Sequence, residues 1–181
     1  PASNPERAVE AGIALVPEER ASQGLALQRT VADNAMLPGL HREAGALGWL
    51  KPHAGENTAT EVVQRLDVRP ARTDIAAGDL SGGNQQKVVI GKWLALDPGV
   101  LLLDEPTRGV DVGAREEIHQ RLRELSKEGV AILFSSSEME EVLALSHRII
   151  VMHEGRITGT LTSSDTTEEE ILALATGGNA P

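Results

Sequence analysis

From residue 100 to residue 152 the chain alternates between two hydrophobic periods, and this constrains the fold more than any other feature. Short apolar runs at residues 100–103, 130–134 and 148–152 are separated by stretches of helical period at residues 112–127 and 139–145. Strand, helix, strand, helix, strand predicts a parallel sheet with helices packed on it, because parallel neighbours need a crossover long enough to hold a helix. An α/β class follows.

Upstream, Asn4 before Pro5 reads as an N-cap with proline in the first turn, opening a helix that Gly12 stops. Residues 13–16 form a further apolar strand ended by Pro17, and Glu18, Glu19 and Arg20 read as an exposed loop. Helices are predicted over residues 30–37, 56–66 and 81–96, with an irregular connection over residues 41–55. After residue 152, His153, Glu154 and Gly155 turn the chain into a hairpin strand at residues 156–161. Asp165 with Glu168 has the spacing of a capping box before a last helix. The pairs Glu116, Glu117 and Glu140, Glu141 read as solvated helix faces, since adjacent helical positions point about 100° apart.

Composition narrows the function classes. With 17 Lys and Arg against 27 Asp and Glu the net charge is −10, which repels phosphate backbones. Trp49, Trp93 and Phe134 are the only aromatic residues, too few to stack successive bases, so nucleic acid is excluded as a partner. No cysteine is present, which rules out disulfides and thiolate chemistry within these residues and fits a reducing compartment. The apolar runs fall far short of the roughly 18 residues of a membrane span. The five histidines, His41, His53, His119, His147 and His153, show no metal-ligand spacing. Pro1 in place of an initiating methionine suggests a segment of a longer protein.

Two clusters carry chemistry. The apolar strand at residues 100–103 delivers Asp104 and Glu105 at its C-terminal edge, where open α/β sheets bind ligands, and Pro106 ends it. In phosphoryl transfer such an Asp holds Mg²⁺ and the neighbouring Glu orients water; a strand that merely ends in polar residues explains the pair equally well. Ser81, Gly82 and Gly83 open the helix at residues 81–96 with a capping serine and two residues lacking side-chain bulk. Orphan amides there favour an anion, although an ordinary capped helix after a glycine turn has the same pattern.

In combination these clusters resemble the ATP-binding-cassette (ABC) ATPases. Leu80, Ser81, Gly82, Gly83, Asn84 and Gln85 are similar to the family's signature motif, residues 101–105 to its acidic strand motif, and Gly109, Val110 and Asp111 to its D-loop. The stretches TRGVDVGAR (residues 107–115) and GNQQKVVIGK (residues 83–92) resemble the second cassette of the fused double-cassette ATPases of bacterial sugar importers. The resemblance implies a P-loop NTPase-like core with part of the helical subdomain. Its expected divisions are a loop and helical subdomain at about residues 25–80, the signature helix and second half of the ATP core at about 81–161, and a C-terminal helix and tail at 162–181.

It further implies ATP and Mg²⁺ as cofactors. Two cassettes, from one polypeptide or a homodimer, sandwich ATP head to tail. Ser81, Gly82 and Gly83, with Gln85 in the same motif, would face the γ-phosphate held by the opposite cassette. Asp104 would serve Mg²⁺ and Glu105 the attacking water at this cassette's own site, with Asp111 bridging the cassettes. The loop around Glu18 and residues 30–66 would meet membrane permease subunits, placing the protein on the cytoplasmic face of the membrane. A periplasmic sugar-binding protein would be an indirect partner.

Three departures accompany the resemblance. Ser137 aligns with the family's switch histidine, and Glu18 stands where the loop usually carries glutamine. No G-x-x-x-x-G-K-[ST] occurs among the 181 residues, so they contain no backbone cradle for the phosphates. The expectation is a chain that begins after the phosphate loop, lacks the strand leading into it, and is inactive alone. The competing reading is a non-catalytic module that completes or regulates a partner cassette's site. A chromosome-maintenance-type ATPase shares both motifs, but no long heptad tract precedes Leu80.

Overall fold

The structure is a computed structural model that describes residues 4–40 and 55–178. It divides into two compact units, Pro1–Ser135 and Ser136–Pro181. The first unit begins with helix α1 (Pro5–Glu10), whose Asn4 cap accepts from the Arg7 N–H at 2.9 Å. Strand β1 (Ile13–Val16) follows, then a π-helical turn (Arg20–Gly24) where an open loop is predicted, helix α2 (Val31–Met36) and helix α3 (Glu56–Arg65). Helix α4 (Gly82–Leu94), strand β2 (Val100–Asp104), helix α5 (Val112–Lys127) and strand β3 (Ala131–Ser135) complete it. The predicted connection at residues 41–55 lies almost wholly outside the described residues.

The three strands form one parallel sheet in the order β1–β2–β3, with Ile13 opposite Val100 and Val100 opposite Ala131. One face is packed: Ala14, Val16, Leu101 and Leu103 are all buried, and α4 lies against β1 as well as α2, α3 and α5. The other face is open. Leu15, Leu102 and Leu133 are register partners across it, and Leu15 and Leu133 are 53% and 60% exposed. Continuous apolar runs predict cover on both faces; among the described residues of this unit only one face has it.

Polar contacts fix the segment leading to α4. Thr30 and Asp33 form a capping box at the start of α2. Asn34, fully buried, accepts from the Ala26 N–H at 2.8 Å and donates to the carbonyls of Ala26 at 3.0 Å and Thr30 at 2.9 Å. Backbone bonds then join residues 27–32 to 73–78, among them Ala77 N–H to the Arg29 carbonyl at 2.8 Å. From inside α4, buried Lys92 donates to the Gly24 carbonyl, and burial pushes its ammonium below the ordinary 10.5.

The second unit holds helix α6 (Met139–Leu145), strands β4 (Arg148–His153) and β5 (Arg156–Thr162), and helix α7 (Glu168–Ala175). Its core is Ile149 and Val151 of β4 with Ile171 and Leu174 of α7, flanked by Met139, Val142 and Leu143. Glu154 and Gly155, both at positive φ, make the tight hairpin turn. Three expectations are corrected here. Strand β4 forms the predicted antiparallel hairpin with β5, but the pair is a separate two-stranded sheet, whereas the alternation predicts β4 within the parallel sheet. The capping box is Thr167 with Glu170, the same spacing two residues later, because Asp165 is taken up in a 3₁₀ turn (Ser163–Asp165). Glu141 is buried rather than solvated, while Glu140 is exposed.

Candidate functional site

Strand β2 ends in Asp104 and the chain turns at once. Glu105 takes a φ of 48°, a left-handed conformation that costs energy in a residue with a Cβ and is held only where neighbours enforce it. One neighbour is Ser135. Its carbonyl accepts from the Glu105 N–H at 3.0 Å, and its Oγ donates to the Asp104 carboxylate at 2.6 Å. One residue on the adjacent strand therefore meets both acids, through its side chain at Asp104 and its backbone at Glu105. Buried Pro106 and Thr107 anchor the turn, and the Arg108 and Val110 N–H groups donate to the carbonyls of Glu105 and Thr107, both at 3.2 Å.

The turn ends at Asp111, which caps α5 by accepting from the Ala114 N–H at 3.0 Å. Ser81 caps α4 in the same way: its Oγ accepts from the Asn84 N–H at 3.4 Å and from the Asn84 side-chain amide at 2.9 Å. The two helix starts are pressed together. A Cβ on Gly83 would lie 2.4 Å from the Ala114 Cβ and 3.7 Å from Asp111 Oδ2. A Cβ on Gly82 would lie 2.8 Å from Arg20 Nη2 and 3.3 Å from the Gly109 carbonyl. Gly83 is thus required by packing within this chain, whatever it meets outside it, while Gly82 leaves room for the Arg20 guanidinium. One turn further along, Lys87 Nζ bridges α4 to α5 by donating to Glu117 at 2.6 Å and to the Asp67 carbonyl at 2.9 Å.

The geometry brings Ser81, Gly82, Gly83 and Asp111 together beside the turn that carries Asp104 and Glu105. Ser81, Asp104 and Asp111 are exposed. Glu18 reaches the same turn and forms an ion pair with Arg108. Gln85 points its amide the other way, donating to the carbonyls of Leu80 at 3.1 Å and Ala77 at 3.3 Å. Ser137 is exposed and belongs to the second unit.

Sequence reasoning missed two residues. Ser135 reads as a small strand end until the β2–β3 register puts it opposite Asp104. Arg20 reads as a loop charge, yet its guanidinium donates to the carbonyls of Arg108 at 2.8 Å and Gly109 at 3.3 Å, 88 and 89 residues away. No sequence period reports such a contact. Among the described residues no cluster of three or more His, Cys, Asp and Glu side chains could hold a metal by itself. Asp104 offers one exposed carboxylate, the kind of ligand Mg²⁺ takes when phosphate oxygens and water supply the rest.

A parallel sheet that sets two carboxylates at a strand end beside a glycine-led helix is the layout of an α/β fold that binds its ligand at the C-terminal edge of its strands. The ABC transporter family matches residues 2–108, and the chain belongs to that family. It is 45% identical over 174 residues to the ribose import ATP-binding protein RbsA of Bacillus licheniformis, covering 96% of this chain and 35% of that protein. The protein of the same name from Geobacillus kaustophilus is 44% identical over 176 residues, again 35% of its length. The chain therefore spans about a third of the length of these relatives. Among solved structures, a nucleotide-free ATP-binding cassette from an ABC transporter aligns with a TM-score of 0.74 at 25% identity, covering 94% of this chain and 67% of that one. A dimeric cassette in a post-hydrolysis state, bound to ADP and Pi, aligns with a TM-score of 0.71 over 87% of this chain and 66% of its own, sharing the fold at 23% identity.

Proposed function

We propose that this chain works within the ATP-hydrolysing subunit of a bacterial sugar importer, of the kind its ribose import relatives are named for. It would contribute the signature segment, the acidic strand end and the D-loop. The observation that carries this is Glu105 at positive φ beside Asp104, both held by Ser135: a strained, over-determined pair of carboxylates at the ligand end of a parallel strand.

Asp104 fits a role in holding Mg²⁺, which when bound would neutralise charge on the β and γ phosphate oxygens. Glu105 would orient the attacking water. Ser81 and Gly82 would face the γ-phosphate of a nucleotide bound by the opposite cassette, with Asp111 at the same junction and Gln85 bracing the segment from behind. The 181 residues hold no G-x-x-x-x-G-K-[ST], so the main phosphate cradle must come from other residues, and the chain alone should neither bind ATP tightly nor hydrolyse it. Permease subunits would be met through residues 30–66 and the loop at Glu18, at the cytoplasmic face of the membrane. A sugar-binding protein would join indirectly. No helix among the described residues is long and apolar enough to cross the membrane.

The Glu18–Arg108 ion pair and the serine at position 137 favour a second reading, a module that completes a partner's site without turning over its own. Glu105→Gln in the assembled transporter separates the two. Loss of a water-orienting carboxylate should lower ATP turnover by about 10²-fold or more with nucleotide binding retained. Turnover within about twofold of wild type, a difference of roughly 0.4 kcal/mol, would leave only the module.

A further inference from the structure

We propose that Arg20 is a positioning residue that holds the Asp111 turn and the start of α4 in register with each other, an inference that rests on the ATPase assignment above. Three segments meet at its guanidinium. Nη1 and Nη2 donate to the carbonyls of consecutive residues, Arg108 at 2.8 Å and Gly109 at 3.3 Å. Gly82 makes room for the same group, since a Cβ there would lie 2.8 Å from Nη2 and 3.5 Å from Cζ. The side chain of Arg108 in turn pairs with Glu18, two residues before Arg20. The segment after β1 thus grips residue 108 twice, by backbone and by side chain, while resting against the first residue of α4.

The gripped carbonyls lie midway between the two functional ends of the turn. Arg108 is hydrogen-bonded back to Glu105, and Gly109, at φ 66°, precedes Asp111 by two residues. Gly109 and Arg108 are exposed, and the Arg20 guanidinium is the side chain that meets both of their carbonyls, beside the start of α4. The demand is specific for arginine. Two carbonyls on adjacent residues match the fixed fork of a guanidinium, and an ammonium supplies one donor direction at a time. Releasing the clamp leaves every residue of the acid pair and the signature in place, yet frees Asp111 and Ser81 to drift relative to one another. Displacements of that kind lower the rate of a positioned reaction and leave ground-state binding largely intact.

The test compares Arg20→Ala and Arg20→Lys in the assembled transporter, with Glu105→Gln run beside them. Arg20→Ala should lower kcat about tenfold with KM for ATP within about twofold of wild type, and Arg20→Lys should recover part of that loss. In the same protein, amide hydrogen exchange at residues 110–114 should quicken about tenfold in Arg20→Ala while β2 keeps its protection. The inference is overturned if Arg20→Ala leaves kcat within twofold of wild type. It is also overturned if β2 loses protection with the turn and Arg20→Lys recovers nothing, since Arg20 would then serve the fold alone. Normal turnover in Glu105→Gln would instead sink the ATPase assignment, and the clamp would be judged on the exchange data alone.

Discussion

Ser135 Oγ donates to the Asp104 carboxylate at 2.6 Å across the β2–β3 ladder, where the two residues are register partners. The bond orients one carboxylate oxygen and leaves the other free for a cation. Ser135→Ala should therefore raise the Mg²⁺ concentration needed for half-maximal ATP turnover by about tenfold, the usual penalty for removing a group that orients a metal ligand. Turnover at saturating Mg²⁺ should change much less. Titration of transporter ATPase activity with Mg²⁺ reads both quantities, and an unchanged half-point would detach Asp104 from the cation.

Lys92 donates to the Gly24 carbonyl from within α4, and burial lowers its pKa from 10.5. Between the lowered native value and 10.5 the unfolded chain holds the extra proton, so stability rises with pH through that window. Below it both states are protonated and the lysine's cost is constant. Denaturant unfolding of wild type and Lys92→Met from neutral pH to about 10.5 should show wild type gaining on the variant as pH rises. A constant difference would mean that the hydrogen bond to Gly24 offsets the burial.

How much of this was legible in the sequence depends on the range over which each feature acts. Helix α5 (Val112–Lys127) and helix α6 (Met139–Leu145) have the bounds their apolar periods predict, and Ser81 and Asn4 cap where their residue types suggest. These are local properties. The β4–β5 hairpin is equally local, announced by the turn at His153, Glu154 and Gly155, whereas strand β4 standing outside the β1–β3 sheet is a matter of strand order that the alternation does not report. The acid pair is visible as residue types, but its support by Ser135 depends on strand order, and the Arg20 clamp joins segments 88 residues apart. The signature glycines are legible too. That Gly83 is needed against Ala114 is not, since nothing in the sequence shows α4 and α5 touching there.

Leu15 and Leu133 lie exposed on the open face of the first unit's sheet, and among the described residues β3 pairs only with β2. An apolar face beside an unpaired edge is a template for self-association. The isolated chain should form dimers or larger species in sedimentation velocity at tens of micromolar, and Leu133→Lys should shift it toward monomer. A wild-type chain that stays a folded monomer at high concentration would show that this face needs no cover.

The most direct test of the claim that this chain completes an ATP site is made at Ser81. Substituting Gly83 is uninformative, because any side chain there collides with Ala114 inside the same molecule. Ser81 is exposed; its hydroxyl caps α4 and accepts from the Asn84 side-chain amide, and Asp and Asn offer an acceptor oxygen and cap as well as Ser. Ser81→Asp keeps the cap and places a carboxylate where the γ-phosphate of the opposite cassette should lie; Ser81→Asn keeps the cap without the charge. Transporter ATP turnover should fall by roughly 10²-fold or more in Ser81→Asp, at least the loss of one transition-state donor, and much less in Ser81→Asn. Turnover in Ser81→Asp within about twofold of wild type would contradict the account.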